Sequence, residues 1–424
     1  MHLSRQHLFD YGNNPVTERS KPTTIENTYG WIVVFVSFTI IAMCASSYYI
    51  TIVSLKSISA EFGWPRSFTS SAYSILFLGM GVGGIFMGWW SDRIGVALPV
   101  AIGIVITAIG TIVAGTSQGF VTFLIAHGIL MGLLGNSALF VPLLANITHW
   151  FDRRRGLAVG IVATGQGVAG TIWIPVFTRI TEAVGWRDTF LYYGVFLFCL
   201  LPATLILRRR PPDTSKPVTA STASAQTVNA LGMSSNLIVG LLSVAIVGCC
   251  ISMAIPTVHL VSHVTDLGFT RVQGAEVVAL TLACSIVSRL AWGWISDRIG
   301  GLLTLFIGSF LQAFAVFLFA LAQDITQLYL IGMFFGFAFG GIVPAYTIIM
   351  RHLLPPTSIG MRVGIVLLFG TIGMALGSWI GGQFFDLNGH YAYAFLVGVG
   401  ANIVNLVIIG FLNIRYRQLR PRPA

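Results

Sequence analysis

The stretch Gly88-Trp89-Trp90-Ser91-Asp92-Arg93-Ile94-Gly95 returns 205 residues later as Gly293-Trp294-Ile295-Ser296-Asp297-Arg298-Ile299-Gly300, with seven of eight positions identical. Each copy is a charged Asp-Arg turn that ends one long apolar run and is followed at once by another. A turn repeated at equivalent points of two similar stretches marks an internal duplication, and each repeat must contain several apolar segments.

Working outward from the two turns, runs of about 20 predominantly apolar residues, long enough to cross a hydrocarbon core, fall near 31–53, 68–90, 97–117, 120–143, 157–178, 189–207, 237–258, 273–295, 301–321, 327–349, 362–384 and 391–413. The predicted fold is an all-α polytopic membrane protein with twelve transmembrane helices in two parallel six-helix repeats. Such repeats enclose a path between two similar bundles. The expected organisation is a flexible cytoplasmic tail at 1–29, an N-terminal bundle at 30–207, a cytoplasmic linker at 208–235, a C-terminal bundle at 236–413 and a basic cytoplasmic tail at 414–424. The linker opens with Arg208-Arg209-Arg210-Pro211-Pro212 and continues rich in Ser, Thr and Ala, a composition that does not build a core. The first 29 residues are polar and contain no signal peptide of the usual form.

Composition agrees. The 424 residues are 55% hydrophobic and only 9% charged, with a mean hydropathy of +0.83. A soluble domain carries about 25% charged residues, so a large soluble enzyme is excluded. The net charge of +10 is topology and not a nucleic-acid footprint. With both termini inside, 18 of the 24 basic residues fall in cytoplasmic segments, five (Lys56, Arg66, Arg179, Arg187 and Arg271) lie on the opposite side, and Arg289 sits within a span. The expected location is a cell membrane, read as a bacterial inner membrane, with the lipid bilayer as partner. Cys44, Cys199, Cys249, Cys250 and Cys284 lie in apolar stretches without CxxC spacing, which argues against a disulfide framework or metal site. No Gly-x-x-x-x-Gly-Lys-Ser/Thr segment is present, and no cofactor, catalytic centre or obligate protein partner is expected.

Arg289 is the most informative single residue. Its guanidinium must reach water or a partner from within an apolar span, and intramembrane charges commonly mark functional cavities. The planar fork can hold a carboxylate bidentately; the alternatives are a charge lock between helices and snorkelling. No Asp or Glu sits near the middle of a span, which favours a small organic anion over a cationic cargo. His127 in span four could couple a proton, or be a packed, hydrogen-bonded histidine. Tyr48, Tyr49, Tyr73, Asn136, Gln166 and Tyr346 are substrate-contact candidates, with packing or interhelical bonding the alternative; Tyr346 follows a Gly340-Gly341 segment where broken helix regularity could line a cavity. Asp92, Arg93, Asp297 and Arg298 read either as a gate that breaks when the bundles rock or as loop architecture. The glycines of spans five and eleven read as close packing or as hinges.

The paired Gly-x-x-x-Asp-Arg-x-Gly segments resemble the repeated cytoplasmic-loop motif of the major facilitator superfamily, over residues 30 to 413. Both copies lack the family's following basic pair: Val96-Ala97 follows one and Gly301-Leu302 the other. More narrowly, Tyr29-Gly30-Trp31, Trp150-Phe151-Asp152-Arg153-Arg154-Arg155-Gly156, Gly185-Trp186-Arg187 and Arg289-Leu290-Ala291-Trp292-Gly293 resemble monocarboxylate transporters and the related oxalate/formate exchangers. The resemblance implies alternating-access transport of a small carboxylate, most simply a monocarboxylate, with a proton as co-substrate, and aligns Arg289 with the family's substrate-binding arginine. Ser285 stands where proton-coupled members commonly carry an aspartate, and neither the lysine of span one nor that of span eleven is present. Competing readings are an exchanger or facilitator for a dicarboxylate, sugar, amino acid or drug, and a non-transporting receptor or scaffold.

Overall fold

The computed structural model describes residues 28–147, 149–151, 154–209, 231–354 and 359–419. Within them the chain is helical. In chain order the helices are α1 (Thr28–Phe62), α2 (Arg66–Ile94), α3 (Ala97–Thr116), α4 (Phe120–Ile147), α5 (155–184), α6 (186–208), α7 (Ser235–Asp266), α8 (Arg271–Ile299), α9 (Gly301–Leu321), α10 (325–353), α11 (Ile359–Asn388) and α12 (Ala392–Leu419). Eleven apolar helical stretches are long enough to cross a membrane, and one of them, Leu157–Arg208, is 52 residues long. At 1.5 Å per residue that stretch would run about 78 Å, more than twice a hydrocarbon core. Gly185 divides it: its φ of 86° and ψ of 166° are inaccessible to an ordinary helical residue, so the chain reverses there and twelve spans result.

The following residues pin that reversal. Arg187 donates from Nη1 to the carbonyls of Gly115 (2.9 Å) and Ser117 (2.8 Å) and from Nε to Glu61 (2.9 Å), while Trp186 Nε1 donates to the other Glu61 oxygen at 2.5 Å. The Gly185-Trp186-Arg187 motif thus ties the α5–α6 turn to the ends of α1 and α3. The last eleven residues of α6 tighten into a 3₁₀ helix containing Pro202, which cannot donate to an α-helical ladder. Most of the linker expected at 208–235 lies outside the described residues, as do the tails at 1–27 and 420–424.

The duplicated turn is duplicated in geometry. Gly95 and Gly300 end α2 and α8 with φ of 88° and 85°, and each amide donates to the carbonyl four residues back, Ser91 and Ser296, at 2.9 Å. Arg93 stacks over Trp89 (4.2 Å to the ring centroid) and Arg298 over Trp294 (3.7 Å). Exposed apolar side chains such as Phe35, Val121, Val195, Leu330 and Val407 cover the outside, as a lipid-facing surface requires.

Helices α1–α6 and α7–α12 form two halves that meet where α2 packs on α11 and α5 on α8. Within the second half, Gly373 and Gly377 of α11 lie flat on α7: a Cβ there would sit 2.7 Å from the Val247 carbonyl and 2.6 Å from that of Ile251. Small residues at this spacing let backbones touch, giving the packing that holds helices together in lipid.

Candidate functional site

The hydrogen bonds and glycine approaches that join the halves run from the end carrying the α1–α2 and α7–α8 turns down to the level of Arg289. At the outer edge Lys56 pairs with Asp266 at 2.9 Å, Arg66 pairs with the same carboxylate, and Asp386 accepts from the backbone amides of Arg66 and Ser67, both at 2.8 Å. Further in, Ser378 donates to the Ser70 carbonyl (3.0 Å) and Ser74 to that of Ala375 (2.7 Å). Deeper still, Gly81 faces Thr371, and Gly167 and Gly170 receive Ile286 and Leu282. Beyond that level the sites where a Cβ would stand on Gly160, Gly293 and Gly364 have no atom within 4 Å. Among the described residues, the polar contacts between the halves thus gather toward the α1–α2 end.

Arg289 stands at the bottom of the closed region. Its Nη1 donates across the interface to the Ala163 carbonyl of α5 at 2.9 Å. Its Nε is buried without a hydrogen-bond partner, and no carboxylate pairs with the guanidinium among the described residues. The neutral phenols of Tyr48 and Tyr49 are its neighbours on the first half. Tyr49 donates to the Gln166 carbonyl at 3.3 Å, one turn beyond Ala163, and its ring lies 4.7 Å from that of Tyr48. Tyr48 meets Tyr73 and Phe77 edge-on at 6.4 and 5.4 Å, and Tyr73 stacks on Phe77 at 4.5 Å. Beside this aromatic wall is a small cleft, about 10 Å³ in free volume, walled by Ile41, Tyr48, Met80, Asn136, Phe140 and Gln166. The structure therefore brings together Arg289, Tyr48, Tyr49, Tyr73, Asn136 and Gln166.

Asn136 and His127 occupy the π-helical middle of α4, residues 126–136. A widened turn re-aims side chains and recurs at functional positions. Gly132 permits it locally, since a Cβ there would stand 2.5 Å from the Leu76 carbonyl of α2. Asn136 Nδ2 donates to Ser47 Oγ and to the Met131 carbonyl, both at 2.9 Å. His127 Nδ1 donates to the Phe123 carbonyl at 2.9 Å, which leaves Nε2 of the neutral ring to accept from Thr51 Oγ1 at 2.9 Å. Both ring nitrogens are thus satisfied without a charge.

Tyr346 stands apart from this group. The helix break at Gly340-Gly341 is present, but it serves close packing, with Gly341 against Trp292 and Gly340 against Ser285. Tyr346 itself is fully buried within the second half and donates to Asn405 Oδ1 at 2.8 Å, in a chain that continues through Asn402 to the Ser309 carbonyl. Ser285, one turn before Arg289, folds its hydroxyl onto its own helix at the Leu282 carbonyl, 2.7 Å away. Arg93 and Arg298 hold their places on the tryptophans, while the side chains of Asp92 and Asp297 lie outside what is described. Sequence reading missed the Lys56–Arg66–Asp266–Asp386 network. Its only signal was charge beside span ends, with no indication of which ends meet.

The sequence profile of the Major Facilitator Superfamily matches this chain over residues 32–270 and again over 240–424. The chain belongs to that superfamily. This major facilitator transporter is 27% identical over 309 residues to monocarboxylate transporter 13 of Bos taurus, covering 72% of this chain and 71% of the relative. It is 25% identical over 347 residues to the MFS-type transporter YcxA of Bacillus subtilis (strain 168), covering 80% and 84%. The solved peptide transporter POT shares its fold with a TM-score of 0.73 over 91% of this chain and 95% of that one, at 14% identity.

Proposed function

We propose that this major facilitator transporter moves a small monocarboxylate, coupled to a proton, by alternating exposure of the cleft beside Arg289. The observation that carries the reading is a guanidinium at the interface between the halves, its Nη1 bonded to Ala163 and its Nε buried without a partner, beside two tyrosines and an apolar wall. Such an edge fits a planar anion, and the aromatic wall fits a short apolar chain. The likeness to proteins named monocarboxylate transporters supports the same cargo. Asn136 and Gln166 line the cleft as hydrogen-bonding groups. In this reading both termini are cytoplasmic in a bacterial inner membrane and the α2–α3 end faces the cytoplasm. Asp92, Arg93, Asp297 and Arg298 then flank the cytoplasmic mouth, where they would serve as gating contacts. In this reading His127 is a structural group held at both ring nitrogens, and Tyr346 supports the second half from within.

The test is uptake into proteoliposomes with the pH gradient and membrane voltage set independently. Saturable uptake of lactate or pyruvate, driven by an inward proton gradient and competed by short-chain carboxylates, is the expected result. Uptake of a sugar, amino acid or drug that monocarboxylates fail to compete overturns the assignment.

A further inference from the structure

The second half carries two buried histidines that the site around Arg289 does not use. His259 and His263 lie one turn apart on α7, 0% and 7% exposed, beneath the ion pairs that close the α1–α2 end. His259 Nε2–H donates to the Ser378 carbonyl of α11 at 2.8 Å, and Ser378 Oγ in turn donates to the Ser70 carbonyl of α2 at 3.0 Å. This bond fixes the tautomer, so the lone pair is on Nδ1, which is buried with no partner among the described residues. His263 Nε2 is likewise buried and unpartnered. Gly381 makes the room for the His259 ring, since a Cβ there would collide with the imidazole.

Charged and titratable groups surround the pair on every side. Tyr391, opening α12, lies 5.1 Å from the His259 ring and 6.0 Å from that of His263, and its hydroxyl accepts from Arg66 Nη1 at 2.8 Å. Arg66 of α2 and Asp386 of α11 act on His259; Asp266, on the same helix as His263 and three residues on, acts on His263 together with His390 of the α11–α12 turn. Lys56 of α1 completes the ring through Asp266. Asp266 is thus the common anion for two cations from the first half.

We propose that the His259–His263 pair binds the coupling proton arriving from the α1–α2 side, and that its charging releases the Lys56–Arg66–Asp266 lock. This rests on the proton-coupled reading given above. The step is a single addition: a proton from water at that end joins the lone pair of His259 Nδ1, with His263 Nε2 one turn nearer the end as the way in, and the Ser378 bond is kept. The new imidazolium repels Arg66 and Lys56 and, two turns from Asp266, competes with them for that carboxylate. Because both rings are buried in the closed site, charging them and hydrating them are one event, which links proton uptake to opening at that end. When the site empties, Asp266 recovers both cations and the halves close there again.

The experiment uses the full chain in nanodiscs, its native cysteines replaced, with spin labels at Ala60→Cys on α1 and Leu387→Cys on α11, both exposed at the α1–α2 end. Distance distributions are compared at about pH 4 and about pH 8, a window wider than the ordinary imidazole range because burial disfavours a charged ring. Longer distances at low pH are expected, lost in His259→Gln/His263→Gln, while Asp266→Asn should be long at both values. In proteoliposomes, uptake that changes by up to about tenfold per pH unit for each proton bound should fall to less than about twofold in the double variant. A double variant that keeps the pH-dependent opening overturns the assignment. So does an Asp266→Asn protein with an unaltered pH response, which covers the case of histidine variants that fail to fold. pH-driven uptake that survives the histidine substitutions overturns this site alone, whereas wild-type uptake indifferent to the pH gradient overturns the proton-coupled reading with it.

Discussion

Replacing Arg289 by glutamine tests the binding site most directly. Nη1 is committed to the Ala163 carbonyl at 2.9 Å, so the fork offered to an anion is the opposite edge, Nε with Nη2, and Nε is the atom left buried without a partner. A hydrogen bond to a charged group contributes about 1.5–3 kcal/mol net. Since about 1.4 kcal/mol is a factor of ten in affinity, losing one such bond raises the apparent KM for a monocarboxylate roughly 10- to 100-fold. Losing both costs more, although a glutamine amide can retain a weaker neutral bond. Arg289→Lys keeps the charge without the planar fork and should lose about tenfold, between wild type and Arg289→Gln. Initial rates in proteoliposomes across a concentration series give KM and Vmax, with membrane insertion and thermal midpoint as controls. If Arg289 served only as a strut to Ala163, Arg289→Gln would lower the thermal midpoint and leave KM unchanged. That outcome, or retention of both KM and Vmax with normal insertion, refutes the argument.

Gly377→Ala places its Cβ 2.6 Å from the Ile251 carbonyl and must push α11 off α7, an overpacking cost of about 1–3 kcal/mol; Gly293→Ala enters open space and should leave the thermal midpoint in detergent unchanged or slightly raised. His127→Leu strands the Thr51 hydroxyl in a buried site and should cost about 1–3 kcal/mol in stability, while the pH profile of uptake keeps its shape. A flattened profile would return His127 to the coupling pathway.

Much of the fold is legible in the chain because lipid simplifies the code. The span count follows from apolar length, and the break that an apolar-length reading alone could miss, inside Leu157–Arg208, is signalled by Gly185 beside Trp186 and Arg187. The duplication is visible because the Asp-Arg turn has the same local geometry twice, down to arginines stacked on tryptophans four residues back. The site is only half legible. Arg289 stands out as a charge in an apolar span, but six amphipathic candidates look alike until the helices are turned: Tyr48, Tyr49, Tyr73, Asn136 and Gln166 share one region, and Tyr346 is buried elsewhere. Helical periodicity gives a face only when one side is polar, and these spans are apolar nearly all round.

The basic residues on the minority side pair over distances that no local sequence pattern spans. Lys56, Arg66 and Arg187 depart from the positive-inside bias, and each is held by a carboxylate: Lys56 and Arg66 by Asp266, Arg187 by Glu61. The partners are 210, 200 and 126 residues away, beyond any local pattern. Two of these pairs join the halves, and they sit at the end opposite the duplicated turns. Those turns lack the basic pair expected after Gly95 and Gly300, although most of the chain's basic residues lie in segments on their side. An equilibrium between two closures is set by the difference in their contacts. With Asp266 holding Lys56 and Arg66 of the first half at one end, the contacts of that closure converge on a single carboxylate, so whatever weakens its hold acts on both cations at once.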